Sequence, residues 1–157
     1  MNKKIKIGID YHGVITVNPI FFKKFNAYAL EHGCVIYVIS GGYRADIESY
    51  LQLHDIKYSD IWSMVEHFDN LGKITYYNDG SFHVDNDLWN KAKAQYCAEN
   101  KIDFHIDDSI LYGRYFTTNF CLYDAVNNNC IINDVYIDFS LSIDKIFDAI
   151  LNVINSK

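Results

Sequence analysis

IGIDYHGVIT, residues 7–16, sets an apolar run (Ile5, Ile7, Ile9) directly ahead of Asp10, with Gly13 three residues later. This pattern predicts a buried strand that delivers one carboxylate to its C-terminal end, followed by a tight turn. In an open α/β sheet, ligands bind in the crevice at that end. A carboxylate there serves as a nucleophile, a metal ligand or both. His12 follows it by two residues.

Outward from this strand the chain alternates. Pro19, the single proline, suits the first turn of a helix, where its missing N–H costs little, and Gly33 suits the stop. CVIYVIS (34–40) is a continuous β-branched run, as expected of a strand covered on both faces. A second helix is expected from Tyr43 to His54. Residues 58–72 read two ways, with IWSMV as a strand and EHFDNLG as a helical turn. ITYYNDGSFHV (74–84) carries Asn78-Asp79-Gly80 between alternating residues, a strong hairpin signal.

A helix is expected from about Asp87 to Asn100, capped by Asp85 or Asn86. IDFHIDDS (102–109) reads as a strand ending in Asp107-Asp108-Ser109, then a short helix, then the strand NFCLYD (119–124). Ile143, Ile146, Phe147, Ile150, Leu151 and Ile154 fall at helical spacing in a closing helix, Ser142 to Ile154. This order predicts an α/β fold: a doubly wound, Rossmann-like parallel sheet with helices on both faces. The hairpin, at about 73–85, is a small insertion in a single domain over 1–157.

Composition excludes some functions. The chain has 157 residues, a formal net charge of -6 and half its residues hydrophobic, which is globular in character. It has no basic run beyond Lys3, Lys4 and Lys6, so binding to nucleic acid through phosphate neutralisation is disfavoured. Those lysines alternate with isoleucines and lead into Asp10, which is not the pattern of a signal peptide. No apolar run approaches the roughly 20 residues that span a bilayer. Cys34, Cys97, Cys121 and Cys130 form no Cys-x-x-Cys pair. Four reduced cysteines in a cytoplasmic protein are expected.

Polar groups stand at the ends of four expected strands: Asp10, Ser40, Asp107 with Asp108, and Asp124. If the first three strands are neighbours, their groups share one crevice, and Lys91 or Lys93 from the preceding helix reaches it. Carboxylates, a hydroxyl and a lysine suit Mg²⁺ and a phosphate, since Mg²⁺ takes oxygen ligands and keeps positions for substrate phosphate. Lysine and hydroxyl groups take the remaining phosphate oxygens. Asp10 would attack phosphorus and water would release the aspartyl-phosphate. His67, His83 and His105 each precede an Asp by two residues, but in different elements. His67 and His83 read as strand-face or surface residues, and His105 as packed beside Asp107. Tyr112, Gly113 and Arg114 read either as pocket lining or as a short surface helix.

IGIDYHGVIT, VIYVISGG, a helix-borne lysine and IDFHIDDS, in that order, resemble the four motifs of the haloacid dehalogenase (HAD) superfamily, most of whose members are Mg²⁺-dependent phosphohydrolases. The resemblance covers essentially the whole chain. It implies Asp10 as nucleophile and metal ligand, and the backbone carbonyl of His12 as a second ligand. It implies Ser40, with Gly41, as phosphate binder. Asp107 would bind the metal directly, with Asp108 behind it or through water. Lys93 would neutralise nucleophile and phosphate, and KAQYC sets it, rather than Lys91, at the usual distance before the acidic strand.

One position departs from the pattern. Phosphatases of this family usually carry an Asp two residues after the nucleophile, where this chain has His12. Histidine can act as both acid and base near neutral pH. Two outcomes follow: a phosphomonoesterase with His12 in that role, or a HAD fold without phosphatase turnover, used for binding or for other chemistry such as dehalogenation. The dehalogenase reading needs a halide-binding arginine, for which Arg44 and Arg114 are the candidates. A receiver domain fits poorly, because its acidic pair lies at the first strand. A nucleoside-triphosphate-binding P-loop is absent from the sequence. The expected substrate is a small or macromolecular phosphomonoester, admitted by a crevice that lacks a cap domain. The hairpin is expected to act as a partial lid.

Overall fold

The computed structural model describes residues 3–156. Its centre is a seven-stranded sheet of β1 (Lys6–Ile9), β2 (Val35–Ser40), β3 (Asp60–Ser63), β6 (Phe104–Asp107), β7 (Asn119–Asp124), β8 (Asn129–Ile132) and β9 (Val135–Asp138). The strand order is β3-β2-β1-β6-β7-β8-β9. The first five of these, read across the sheet, are parallel, and β8 and β9 add an antiparallel edge. The helices are α1 (Pro19–Glu31), α2 (Arg44–Leu53), α3 (Met64–Asn70), α4 (Asn86–Glu99), α5 (Ile110–Gly113) and α6 (Ile143–Asn155). Strands β4 (Thr75–Tyr76) and β5 (Phe82–His83) pair as a separate hairpin. The architecture is the doubly wound α/β sheet expected of the alternating sequence.

The two sheet faces differ in chemistry because side chains alternate along each strand. Ile7, Ile9, Ile36, Val38, Phe104 and Ile106 form one apolar face, packed against Phe22 and Phe25 of α1, Leu51 of α2 and Ile150 of α6. The opposite face carries Ile39, which clusters with Cys97 of α4. Gly8 and His105, cross-strand partners, share that face. There Phe116 stacks on the buried His105 ring at 5.1 Å. The face under α4 is therefore the one that tolerates polar groups.

Local signals set most boundaries. Gly33, at φ 80°, ends α1 in the left-handed conformation that glycine tolerates. Asp85 caps α4 by accepting from the Leu88 N–H at 3.1 Å. Residues 58–72 resolve into β3 and α3, because Ser63 ends the strand and caps the helix by accepting from the Glu66 N–H.

The structure adds to the sequence reading in the C-terminal third of the chain. The stretch between NFCLYD and the last helix is not plain loop: β8 and β9 form there, joined by a turn in which Asn133 and Asp134 take positive φ. Asp124 does not face the crevice. Its carboxylate accepts from the N–H groups of Val126 and Asn127 and closes the β7–β8 turn. Cys121 and Cys130 lie side by side on adjacent strands, with Cα atoms 5.6 Å apart. Cys34 and Cys97 are free thiols. No helix among the described residues is long and apolar enough to cross a membrane.

Candidate active site

β1 lies between β2 and β6, so Asp10, Ser40 and Asp107 emerge side by side at the C-terminal edge of the sheet. Asp10 continues the strand ladder by donating its N–H to the Ile106 carbonyl. The chain then turns at once. His12 (φ -69°, ψ 130°) and Gly13 (φ 79°, ψ -4°) have the angles of a type II turn, whose third position calls for glycine. Thr16 accepts from the Gly13 N–H at 3.2 Å and fixes the turn. A side chain at Gly13 would also collide with Asp108, because its Cβ would lie 2.2 Å from Oδ2.

Lys93 joins the two acidic strands. Its Nζ lies 2.8 Å from Asp10 Oδ1 and 2.8 Å from Asp107 Oδ2, with all three side chains buried. Lys91, one helical turn's edge away, pairs instead with Asp87 at the surface. The remaining bonds orient the carboxylates. Asp10 Oδ1 also accepts from the Tyr11 N–H at 2.9 Å. Asp107 Oδ1 accepts from the Ser109 N–H, and its Oδ2 meets His105 Nε2 at 3.0 Å. Asp10 Oδ2 takes neither of the bonds that hold Oδ1.

Charge crowding shifts the ionisable groups. Burial pushes the Asp10 carboxyl up; Lys93 opposes this, Asp107 and Asp108 reinforce it, and the outcome is about 7. Burial disfavours the charge on Asp107 too, but Lys93 and the His105 hydrogen bond outweigh it and hold that carboxyl below its usual range. Burial alone would lower Lys93; the two aspartates reverse this and raise it, so it stays an ammonium. Burial and neighbouring Asp107 raise Asp108. Burial lowers His105, which is thus held neutral. Cys97, also on α4, is no nucleophile, since burial pushes its thiol up to about 12.

Asp10, Asp107 and Asp108 each offer an oxygen, all within 4.8 Å of one another. Three converging carboxylates with one lysine fit a hard divalent cation, which prefers oxygen ligands.

The cleft above these groups has a volume of about 400 Å³ and is lined by Asp10, His12, Gly13, Ser40, Gly41, Gly42, Lys93, Asp108, Ser109 and Tyr112. His12 is exposed. Its Nε2 and the Ser40 hydroxyl flank Gly42, where a Cβ would lie 3.3 Å from the first and 3.6 Å from the second. Gly42 donates to Ser40 Oγ at 3.1 Å, and its carbonyl accepts from Ser63 Oγ at 2.7 Å. Ser63 sits opposite Ser40 in register, so β3 braces the loop after β2.

Asp10, His12, Ser40, Gly41, Lys93, Asp107 and Asp108 therefore meet at one crevice, with Tyr112 on its wall, while Lys91 and Asp124 lie away from it. The roles of Trp89, Gly42 and Ser63 were not singled out. Ser63 had a signal, a hydroxyl residue closing a strand, but Trp89 had none beyond its type. Neither arginine lines the cleft. Arg44 is turned towards Glu48, Asp60 and Glu66, and Arg114 is exposed.

No protein-family profile matches the chain, and no curated protein does. Among solved structures, the chain is similar to a glycosyltransferase from Rickettsia africae ESF-5, at 13% identity and a TM-score of 0.45. The match covers 76% of this chain and 29% of that one.

Proposed function

We propose that this chain is a Mg²⁺-dependent phosphomonoesterase of HAD type, with Asp10 as nucleophile. The single observation that supports this reading most is the buried Asp10–Lys93–Asp107 bridge at 2.8 Å on each side, opening on Asp108 and Ser40. A salt bridge kept only for stability gains little from burial. A nucleophile and a phosphate pocket need this arrangement.

Asp10, Asp107 and Asp108 would hold the cation, which when bound offsets charge on the phosphate oxygens. Lys93 neutralises the nucleophile and one phosphate oxygen, and the Ser40 hydroxyl and the backbone N–H groups beside it hold others. Asp10 Oδ2 attacks phosphorus, and the bond from phosphorus to the leaving oxygen breaks. Protonated His12 donates its proton to that oxygen. Neutral His12 then takes a proton from water as the water oxygen attacks the phosphoryl group. Inorganic phosphate leaves and the Asp10 carboxylate is restored. A halide site has no support, because neither arginine reaches the cleft.

Hydrolysis of an aryl phosphate, with Mg²⁺ and with chelator, tests the reading in wild type and Asp10→Asn. Metal-dependent turnover that the mutant loses supports it. Turnover equal in both removes Asp10 from the mechanism.

A further inference from the structure

The walls of the cleft bear on the substrate, given the phosphomonoesterase reading on which this step rests. Charge comes first. Lys93 is the one lysine or arginine among the lining residues, and two aspartates already share it. Arg44 and Lys91 are engaged outside the lining, with Glu66 at 3.2 Å and with Asp87 at 2.9 Å. A second phosphate on the substrate would find only His12 among the lining residues as a basic partner and would face Asp108. The site therefore favours a single phosphate on an uncharged carrier.

Shape comes second. Tyr112 is the one Phe, Tyr or Trp ring among the lining residues, and three more rings continue from it beyond the lining. Lys93 Nζ lies 5.0 Å from the centre of the Tyr112 ring. The Tyr112 hydroxyl accepts from Trp89 Nε1 at 3.1 Å. The Trp89 ring fills the space over Gly41, where a Cβ would lie 2.9 Å from it. Phe82 of the hairpin packs on Trp89 at 5.8 Å and faces Tyr43 at 6.5 Å. Tyr43 directly follows Gly42 and is 46% exposed. A band of four rings thus runs from the lysine past Gly41 out to solvent at Tyr43. Flat rings favour offset or edge-on aromatic partners.

We propose that the substrate is a monophosphate ester whose leaving group carries a flat, uncharged aromatic ring that packs along Tyr112, Trp89, Phe82 and Tyr43. Tyr43 is the outermost member and acts as a specificity determinant.

Benzyl phosphate and cyclohexylmethyl phosphate test this, because both release a primary alcohol and differ in the flatness of the ring. Wild type should show kcat/KM about 5-fold higher for the benzyl ester. Tyr43→Ala should bring that ratio close to one, and Tyr43→Phe should restore it. Pyrophosphate should be hydrolysed far more slowly than either ester. Equal kcat/KM for the two esters in wild type, or a ratio unmoved by Tyr43→Ala, overturns the inference and leaves the phosphatase reading intact. Hydrolysis of neither ester overturns that reading and this inference with it.

Discussion

Lys93, from the middle of α4, lies 2.8 Å from Asp10, at the end of the first strand and 83 residues earlier in the chain. The contact fixes a helix to a strand end through groups that are almost wholly removed from water. Asp107 completes it from the neighbouring strand. The same three residues hold the fold locally and, in the proposed function, perform the chemistry.

Lys93→Met tests the first task. It leaves two buried carboxylates without a cationic partner, and breaking a buried pair in this way costs about 3–5 kcal/mol. Lys91→Met removes only an exposed pair with Asp87 and should leave the unfolding midpoint unchanged. Urea unfolding of the two variants checks the contrast. Equal effects would mean that the Lys93 bridge carries no special weight.

Gly13→Ala should damage cation binding more than it damages the fold. Alanine at φ 79° is strained, and its Cβ would meet Asp108 Oδ2. Asp108 must move, and the three-carboxylate cluster opens. Titration with Mn²⁺ should show affinity reduced about 10-fold, as for other changes that disturb ligand orientation. Unchanged affinity would remove Asp108 from the cation site.

The pH dependence of stability follows from Asp10. Its folded pKa, about 7, lies above the ordinary 3.8, so the folded state keeps a proton that the unfolded chain has released. Stability without divalent cations should therefore fall as pH rises from about 4 to about 7. Asp107 has the opposite sign. Its lowered pKa stabilises the fold above the ordinary carboxylate range and loses that contribution as pH falls below it. Melting in chelator should thus peak on the acid side of neutrality, and added Mg²⁺ should stabilise most at high pH. Stability that rises from about pH 5 to about pH 8 in chelator would contradict the assignment.

Gly8→Ala probes the polar side of the sheet. Gly8 faces His105 across the β1–β6 ladder, and a Cβ there would lie 2.6 Å from His105 Nδ1 and 2.9 Å from Ile39 Cδ1. His105 must shift, and with it the hydrogen bond to Asp107. Overpacking of this kind costs about 1–3 kcal/mol. A thermal melt checks the cost. A melt equal to wild type would show that the β1–β6 contact has slack.

The three central strands of the parallel core were legible because each is a mainly apolar run ending in a polar group, at Ile9-Asp10, Ile39-Ser40 and Ile106-Asp107. Such strands are buried on both faces, so composition alone marks them. Strands β8 and β9 were not legible. NNNCIINDVYID breaks its alternation with six Asn or Asp residues, and two of these, Asn133 and Asp134, are the turn itself. Asp124 misled for a related reason. A strand-end carboxylate reads alike whether it faces a crevice or caps its own turn, and only the antiparallel return of the chain makes it a cap. Distance before the acidic strand favours Lys93 over Lys91, and helix phase gives the physical reason that the structure agrees. Two residues rotate a helix by more than half a turn, so one lysine points at the sheet and the other at water. The aromatic band had no linear signature, since Tyr43, Phe82, Trp89 and Tyr112 come from four separate segments.

The central claim is covalent chemistry at Asp10, and the most direct measurement is acid-quenched turnover of an aryl phosphate by His12→Ala, followed by mass mapping of the peptides. With His12 gone, attack by water slows, and a phosphoryl group should accumulate on the peptide that contains Asp10. Release of inorganic phosphate by wild type, with no phosphoryl group ever found on that peptide in wild type or in the variant, would contradict the account.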